Sequence, residues 1–352
     1  AAAGLADYLL ATVPGVAEQG VIIGFDMRRK SDDFALDTAR VCAARGIKAL
    51  LFDQIVPTPV LAWNITALGA AAGVMVTASH NPPADNGYKV YLATGAQIVP
   101  PADTDISACI DDVDPTSVEL ASPDHPLIQY VGAEEIEAYL AAVPAVRLLP
   151  NLPGVASAYT ALHGVGGATL LAAFERAGLP TPSVVAVQQQ PDGTFPTVSF
   201  PNPEEPGAMD LLMAQAAQSG ALIALANDPD ADRMAAAIPT PASLTSPGGW
   251  RRLGGDEIGW LLADHILAHT SGEGRLVITT LVSSSLLGRM AAAHGVTCLE
   301  TFTGFKWIGH TVLQHPELHF VFGYEQAPGY LLCGQPLHKG GITAAVLMAE
   351  AA

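Results

Sequence analysis

Ser79 stands in the segment Thr77-Ala78-Ser79-His80-Asn81-Pro82, a polar turn directly after the apolar run from Ala67 to Val76. A hydroxyl placed there can carry a phosphoryl group, although Ser, Asn and Pro are ordinary turn residues and the segment alone says little. A second cluster gives it meaning: Asp228-Pro229-Asp230-Ala231-Asp232-Arg233 follows the apolar run from Ala221 to Ala226. Three carboxylates at alternate positions suit a hard divalent cation. A hydroxyl able to hold a phosphoryl group and a carboxylate site for the metal that neutralises it point together to phosphoryl transfer.

Other chemistries fit these residues less well. A Ser-His-Asp hydrolase is disfavoured because Ser79 and His80 are adjacent and no G-x-S-x-G elbow surrounds them. A calcium loop of the EF-hand kind fails on spacing, since Arg233 occupies its glycine position and Pro239 its terminal glutamate position. His163-Gly164-Val165-Gly166-Gly167 is not a dinucleotide loop, because the last glycine of G-x-G-x-x-G would fall at Thr169. Small residues there let backbone approach a cleft. Without further context Ser79 reads as a turn or N-cap residue, Lys89 as a surface charge after the Asn86-Gly87 turn, and the aspartates as an acidic loop.

Alternating strand and helix signals must position these groups. Val21 to Phe25 is a short apolar run ending at Asp26; Ser31 and Asp32 or Asp33 can cap a helix running to about Arg45, with Gly46 as its stop. Lys48 to Phe52 reads as a strand, Thr58 to Leu68 as a helix and Gly73 to Val76 as a third strand, which makes βαβ units and a largely parallel sheet. Polar residues just beyond strand C-termini, as Asp26 and Ser79 are, sit where open α/β sheets bind ligands. Asp111 to Pro126 reads as a surface loop, and Pro150 to Pro153 as a hinge after the helix Ala133 to Val143. Strands at Ser157–Leu162, Val184–Val187 and Ala221–Ala226 alternate with helices at Ala168–Ala177 and Ala208–Gln218. Beyond a Gly- and Pro-rich boundary at Pro247 to Gly255 the plan repeats, with helices Glu257–His269 and Ser284–His294 and strands Leu276–Thr279 and His319–Phe322. The expectation is an α/β protein of three consecutive similar domains with mixed, largely parallel sheets, spanning 1–147, 148–254 and 255–352.

Composition narrows the function. Of 352 residues only 14% are charged and 50% are hydrophobic, with 34 Gly and 27 Pro, a well-buried α/β composition. A formal net charge of -18 with 16 Lys and Arg argues against nucleic acid, which needs a basic stripe. An anionic substrate must instead be gathered by a locally positive cleft. Mean hydropathy is +0.32, yet no apolar run reaches the roughly 18 to 20 residues that span a bilayer. Cys42, Cys109, Cys298 and Cys333 form no CxxC pair and read as core thiols of a cytosolic protein.

The chain resembles the α-D-phosphohexomutase superfamily, the phosphoglucomutases and phosphomannomutases, along essentially its whole length. The matching segments arrive in the family's order: TASHNPPADNGYKVY at 77–91, TALHGVGG at 160–167, FPNPEEPGAMDLL at 200–212, DPDADR at 228–233, GGDEIG at 254–259, TGFKWIG at 303–309 and GYEQAPGY at 323–330. The last two spellings are most similar to the phosphoglucomutase and phosphopentomutase branch. The resemblance implies a mutase that passes a phosphoryl group between a phosphoserine, Ser79, and a sugar phosphate by way of a sugar bisphosphate. It implies Mg2+ held by Asp228, Asp230 and Asp232 with a phosphate oxygen on Ser79, and a general acid/base at Lys89, whose pKa must then be lowered toward neutrality. His80 is implied as a support for the phosphate and Arg233 as a phosphate contact. Thr303, Gly304 and Lys306 form a substrate loop, Glu325 accepts sugar hydroxyls, and His163 is a further candidate at the cleft.

Two departures stand out: Ala327, followed by Pro328, occupies the position two residues after Glu325 where many relatives carry a serine, which bears on hexose selectivity, and Gly340 replaces the aspartate of Lys-Asp-Gly. The resemblance also leads one to expect an N-terminal segment with an arginine-containing loop and a fourth, phosphate-gripping domain outside this chain. Rival readings are a metal-dependent phosphatase, which would admit water, and a non-catalytic phosphosugar-binding fragment.

Overall fold

A computed structural model of the chain describes residues 1–241 and 249–352. Three sheets follow one another. The first comprises β1 (Val21–Phe25), β2 (Ala49–Phe52), β3 (Ala72–Val76), β4 (Tyr88–Leu92) and β5 (Ile128–Val131) in the order β4-β3-β1-β2-β5. The second comprises β6 (Ser157–Thr160), β7 (Ser183–Val184), β8 (Ile223–Asn227), β9 (Met234–Thr240) and β10 (Gly249–Arg252) in the order β10-β9-β8-β6-β7. The third comprises β11 (Arg275–Thr280), β12 (Thr297–Thr301), β13 (His319–Glu325) and β14 (Gly329–Leu332) in the order β12-β11-β13-β14.

Central strands are parallel and read as continuous apolar runs because helices cover both faces. Each sheet then turns back at one edge. β4 pairs antiparallel with β3, β9 with β8, and β14 with β13. Ser79, the three aspartates and Glu325 therefore occupy equivalent places: each lies at the carboxyl end of a buried strand, where the chain reverses into an antiparallel neighbour.

The expected boundary at Pro247 to Gly255 lies partly outside the described residues. From Gly249 it is strand, paired with β9 through Arg252↔Ala237. Helix Ser31–Ala44 starts where expected but without a side-chain cap. Its N-cap is Lys30 with φ 69°, because the Ser31 hydroxyl turns inward and donates to Asp26 Oδ1 at 2.7 Å. Asp32 and Asp33 remain in the first turn, where negative charge complements the helix dipole. The cysteines are free, but only Cys42 is buried; Cys109 and Cys298 are half-buried and Cys333 is exposed, so the expectation of core thiols holds for one.

Helix Gly341–Ala351 fastens the assembly. It is buried on all sides from Gly341 to Glu350 and packs against helices Gly166–Arg176 and Gly255–His269 and strands β8, β9 and β14. A helix that is apolar all round belongs in a core. Its one charge, Glu350, meets the buried Arg147 of the segment joining the first two sheets at 2.8 Å. Among the described residues no helix is long and apolar enough to cross a membrane.

Candidate active site

The Ser79 loop leaves β3 and returns into β4, and the Thr77 amide donates to Gly87 O at 3.1 Å to close it. A Cβ on Gly87 would lie 2.4 Å from Thr77 O, so only glycine lets the loop close this tightly. Ser79 has φ 51°, the left-handed region, which costs a non-glycine residue roughly 1–2 kcal/mol. It is 7% exposed. Its amide donates to Thr77 Oγ1 at 2.9 Å, and its hydroxyl donates to Asp228 Oδ2 at 2.8 Å.

Asp228, Asp230 and Asp232 follow β8 and are fully buried, each offering an oxygen within 4.8 Å of the others. Alternation brings all three round to one side because the chain turns at Ala231, φ 57°. Burial and the two neighbouring carboxylates push Asp228 above the usual carboxylate range. Asp230 Oδ1 and Asp232 Oδ1 have no hydrogen-bond partner. An all-oxygen set of this size with free lone pairs fits a hard divalent cation.

Cations of the protein already face the triad. Lys89, on β4, donates to Asp230 Oδ2 at 2.7 Å and Asp232 Oδ2 at 2.8 Å. The lowered pKa expected of Lys89 is therefore not found: burial alone would lower it, but the two carboxylates outweigh burial and hold it well above the ordinary lysine value. Lys339 Nζ approaches Asp232 Oδ1 at 3.2 Å, and there burial prevails and draws the pKa down. His80 Nδ1 lies 3.3 Å from Ser79 Oγ. Burial, then Arg233 and Lys339, lower its pKa to about 4, so it is neutral at pH 7. The Arg233 amide donates to Asp228 Oδ1 at 3.0 Å, while its guanidinium lies 3.6 Å from Glu204 Oε2 and 4.0 Å from Asp228 Oδ2.

The expected substrate residues group separately. Glu325, at the end of β13, accepts the Gly304 amide at 2.8 Å, which ties the 303–306 segment to the β13–β14 turn. Thr303 is exposed. Lys306 pairs with Asp103 of helix Ala102–Asp111 at 3.6 Å, a contact from the third sheet's unit to the first. The His163 ring is not gathered with Ser79; its Nε2 lies 2.8 Å from Thr197 Oγ1. Its neighbour Gly164 is what touches the aspartate loop, where a Cβ would come within 2.5 Å of Pro229 O.

Three family models cover most of the chain in succession: phosphoglucomutase/phosphomannomutase alpha/beta/alpha domain I over residues 1–117, domain II over 138–241 and domain III over 254–352. A Haemophilus influenzae protein named "Probable phosphomannomutase" is 42% identical over 99% of this chain and 70% of its own length. The chain belongs to the phosphoglucomutase/phosphomannomutase family. A human family member named phosphopentomutase is 35% identical over 99% of this chain, which spans 60% of that relative's length. The crystal structure of a phosphomannomutase candidate from Thermus thermophilus shares the fold at TM-score 0.79 and 26% identity, covering 99% of this chain and 74% of that one.

Within this family member several residues at the site were not legible as such. Thr58 begins helix Thr58–Ala67, and its amide and hydroxyl both bond to Asp230, the amide at 2.9 Å to Asp230 O. His338 Nε2 lies 3.4 Å from Asp232 Oδ2 and 3.3 Å from Tyr91 OH. Arg28, 2% exposed, lies under the Ser79 loop. Lys339 stood out only for the spelling around it. Gly341 now has a reason: a Cβ there would be 2.2 Å from Arg233 O, so the helix start can abut the aspartate loop. The one available signal was Asp26 beyond the end of β1, which marks the strand end that Arg28 follows.

Proposed function

We propose that the protein is a phosphosugar mutase that moves a phosphoryl group between C1 and C6 of a hexose, glucose or mannose, through phosphoserine at Ser79 and a sugar bisphosphate. The observation that carries this reading is the Ser79 hydroxyl bonded to Asp228 at 2.8 Å, at the edge of a buried carboxylate triad. Phosphoryl transfer is mostly positioning and charge compensation, and both are present. The domain limits 1–147, 148–254 and 255–352 fit this plan, with one function-bearing loop in each.

The residues act as follows. Ser79 Oγ gives up its phosphoryl group as the P–Oγ bond breaks and a bond forms from phosphorus to a sugar hydroxyl oxygen. The hydroxyl proton passes to Lys89, which can serve as the base only once a cation takes over Asp230 and Asp232, the two carboxylates that hold its pKa up. In the second half-reaction the other phosphate of the bisphosphate returns to Ser79 Oγ, and the proton returns to the freed sugar oxygen. Mg2+ held by Asp228, Asp230, Asp232 and a phosphate oxygen on Ser79 would offset charge on the phosphoryl group. Neutral His80 and the Arg233 guanidinium hold the phosphate oxygens. Glu325 accepts sugar hydroxyl hydrogen bonds, while Thr303, Gly304 and Lys306 line the substrate loop; His163, turned toward Thr197, takes no part. The burial of Ser79 favours transfer over a phosphatase reaction, because a phosphoserine shut away from water does not hydrolyse.

A pentose is the second reading, favoured by the human relative's name and by Ala327, which removes a polar side chain from the Glu325 turn. The test is a side-by-side assay of glucose, mannose and ribose 1-phosphates on the full-length protein. Isomerisation of a hexose phosphate with the best kcat/KM supports the first reading, preference for ribose 1-phosphate the second, and release of inorganic phosphate without isomerisation contradicts both.

A further inference from the structure

Ser79 is held in an uncommon backbone conformation, φ 51°, and both of its peptide groups are pinned from one source. That source is Asp26, buried at the end of β1. One carboxylate oxygen, Oδ2, accepts the Thr77 hydroxyl at 2.6 Å, and Thr77 Oγ1 in turn accepts the Ser79 amide at 2.9 Å. The same oxygen lies 3.3 Å from Arg28 Nε. The guanidinium then reaches under the loop. Nη2 donates to Ser79 O at 2.6 Å and Asn81 O at 2.7 Å, and Nη1 donates to Pro82 O at 2.6 Å and Asp85 O at 3.2 Å.

Four carbonyls of one turn thus converge on a single planar fork. A carbonyl cluster of this kind repels itself unless a donor array fills it, and a guanidinium supplies several donors in fixed directions where an ammonium supplies three on one atom. The second sheet's unit covers the guanidinium from its other side. The Phe195 ring lies 5.1 Å from Arg28 Cζ, and the chain just before it packs so closely that a Cβ on Gly193 would be 2.6 Å from Met27 O. Phe195 is itself buried and in the left-handed region, φ 48°. The loop that bears Ser79 is therefore shaped from below by a residue that the aspartate-bearing unit clamps in place.

We infer that Arg28 is a positioning residue that sets the Ser79 loop for phosphoryl transfer, with Phe195 fixing its register against the unit that carries the carboxylate triad. The inference rests on the phosphoryl-carrier reading of Ser79. Arg28 touches no reacting atom; it acts by holding the backbone on either side of the hydroxyl.

The test compares Arg28→Lys and Phe195→Leu with the wild type in the full-length protein. Arg28→Lys keeps the charge beside Asp26 but cannot serve four carbonyls, so kcat falls about 100-fold while KM for the sugar phosphate and the Mg2+ half-saturation stay within about twofold. Amide hydrogen exchange of residues 79–85 speeds up while that of residues 223–233 is unchanged, a pattern that general destabilisation does not produce. Phe195→Leu keeps a buried apolar side chain and lowers kcat by about 10-fold, with the same exchange signature. A wild-type kcat in Arg28→Lys, unchanged exchange in the loop, or a loss of kcat matched by faster exchange throughout both units would each overturn the inference. Should the wild type show no mutase turnover, the proposed function fails, while the exchange comparison still decides whether Arg28 orders the loop.

Discussion

The Ser79 hydroxyl and Asp228 Oδ2 meet at 2.8 Å across 149 positions of sequence, so the first and second sheets share one hydrogen bond at their facing loops. That bond puts the candidate phosphoryl carrier against the candidate metal site before any substrate is bound. Thr58 makes a second crossing to Asp230 and Lys89 a third, so the triad, carried by the second sheet, is oriented largely by the first.

Asp230 has one oxygen bonded to Lys89 and Thr58 and the other, Oδ1, without a partner. Asp230→Asn replaces one ionised donor with a neutral amide of the same shape. The Mg2+ concentration giving half-maximal turnover is expected to rise about 10-fold or more, with a lower kcat at saturation. A metal titration of initial rates checks it, and an unchanged half-saturation would remove Asp230 from the metal site.

Lys89 and a bound cation offset the same two carboxylates, Asp230 and Asp232. Lys89→Met is therefore expected to destabilise the metal-free protein by about 3–5 kcal/mol, since a buried charge loses its partner. Saturating Mg2+ should recover much of that loss, yet turnover should remain reduced by about 100-fold or more. Urea denaturation with chelator and with Mg2+ separates the two effects. Equal loss of stability in both conditions would show that the cation does not share the carboxylates with Lys89.

Glu350 accepts from the Leu148 amide at 2.8 Å and the Leu149 amide at 3.1 Å, and pairs with Arg147 and His265. Burial would raise its pKa, but the hydrogen bonds from His265, the two amides and Arg147 outweigh it and hold the carboxyl below its ordinary 4.5. A depressed folded pKa means the stabilisation is present above the unfolded value and is lost as pH falls through the folded one. Glu350→Gln is expected to cost about 3–5 kcal/mol at pH 7, because Arg147 is left buried and unpaired. The gap between variant and wild type should narrow only below pH 4.5, which urea midpoints at pH 7 and on acidification below 4.5 will show. A constant gap would mean that the Glu350 pKa is the same in the folded and unfolded chain, so that the fold does not favour its ionised form.

Residues whose meaning is local were legible in the sequence. Ser79 and the three aspartates lie in short motifs beside strong apolar runs, and β1, β2, β3, β6, β8, β11 and β13 were each anticipated within a few residues. Most edge strands were not. β5 and β12 are partly exposed and lack clean alternation, while of the strand expected at Val184–Val187 only Ser183–Val184 forms, because the chain turns into a 3-10 helix at Ala186–Gln188. Residues whose meaning depends on distant partners were also hidden. Arg28 meets Ser79 51 positions away, and Thr58 meets Asp230 172 positions away. Lys89 shows the same limit in its chemistry: its position was legible, but the pair of carboxylates that raises its pKa comes from another sheet.

Intact-mass analysis of the full-length protein after incubation with a sugar bisphosphate tests the central claim most directly. The wild type should gain the mass of one phosphoryl group, mapped by fragmentation to Ser79, and should lose it on addition of the sugar monophosphate as mutase product forms. Ser79→Ala should gain nothing and turn over at least about 1,000-fold more slowly. A phosphorylated Ser79→Ala protein, or one with normal turnover, would contradict the assignment of Ser79 as the phosphoryl carrier.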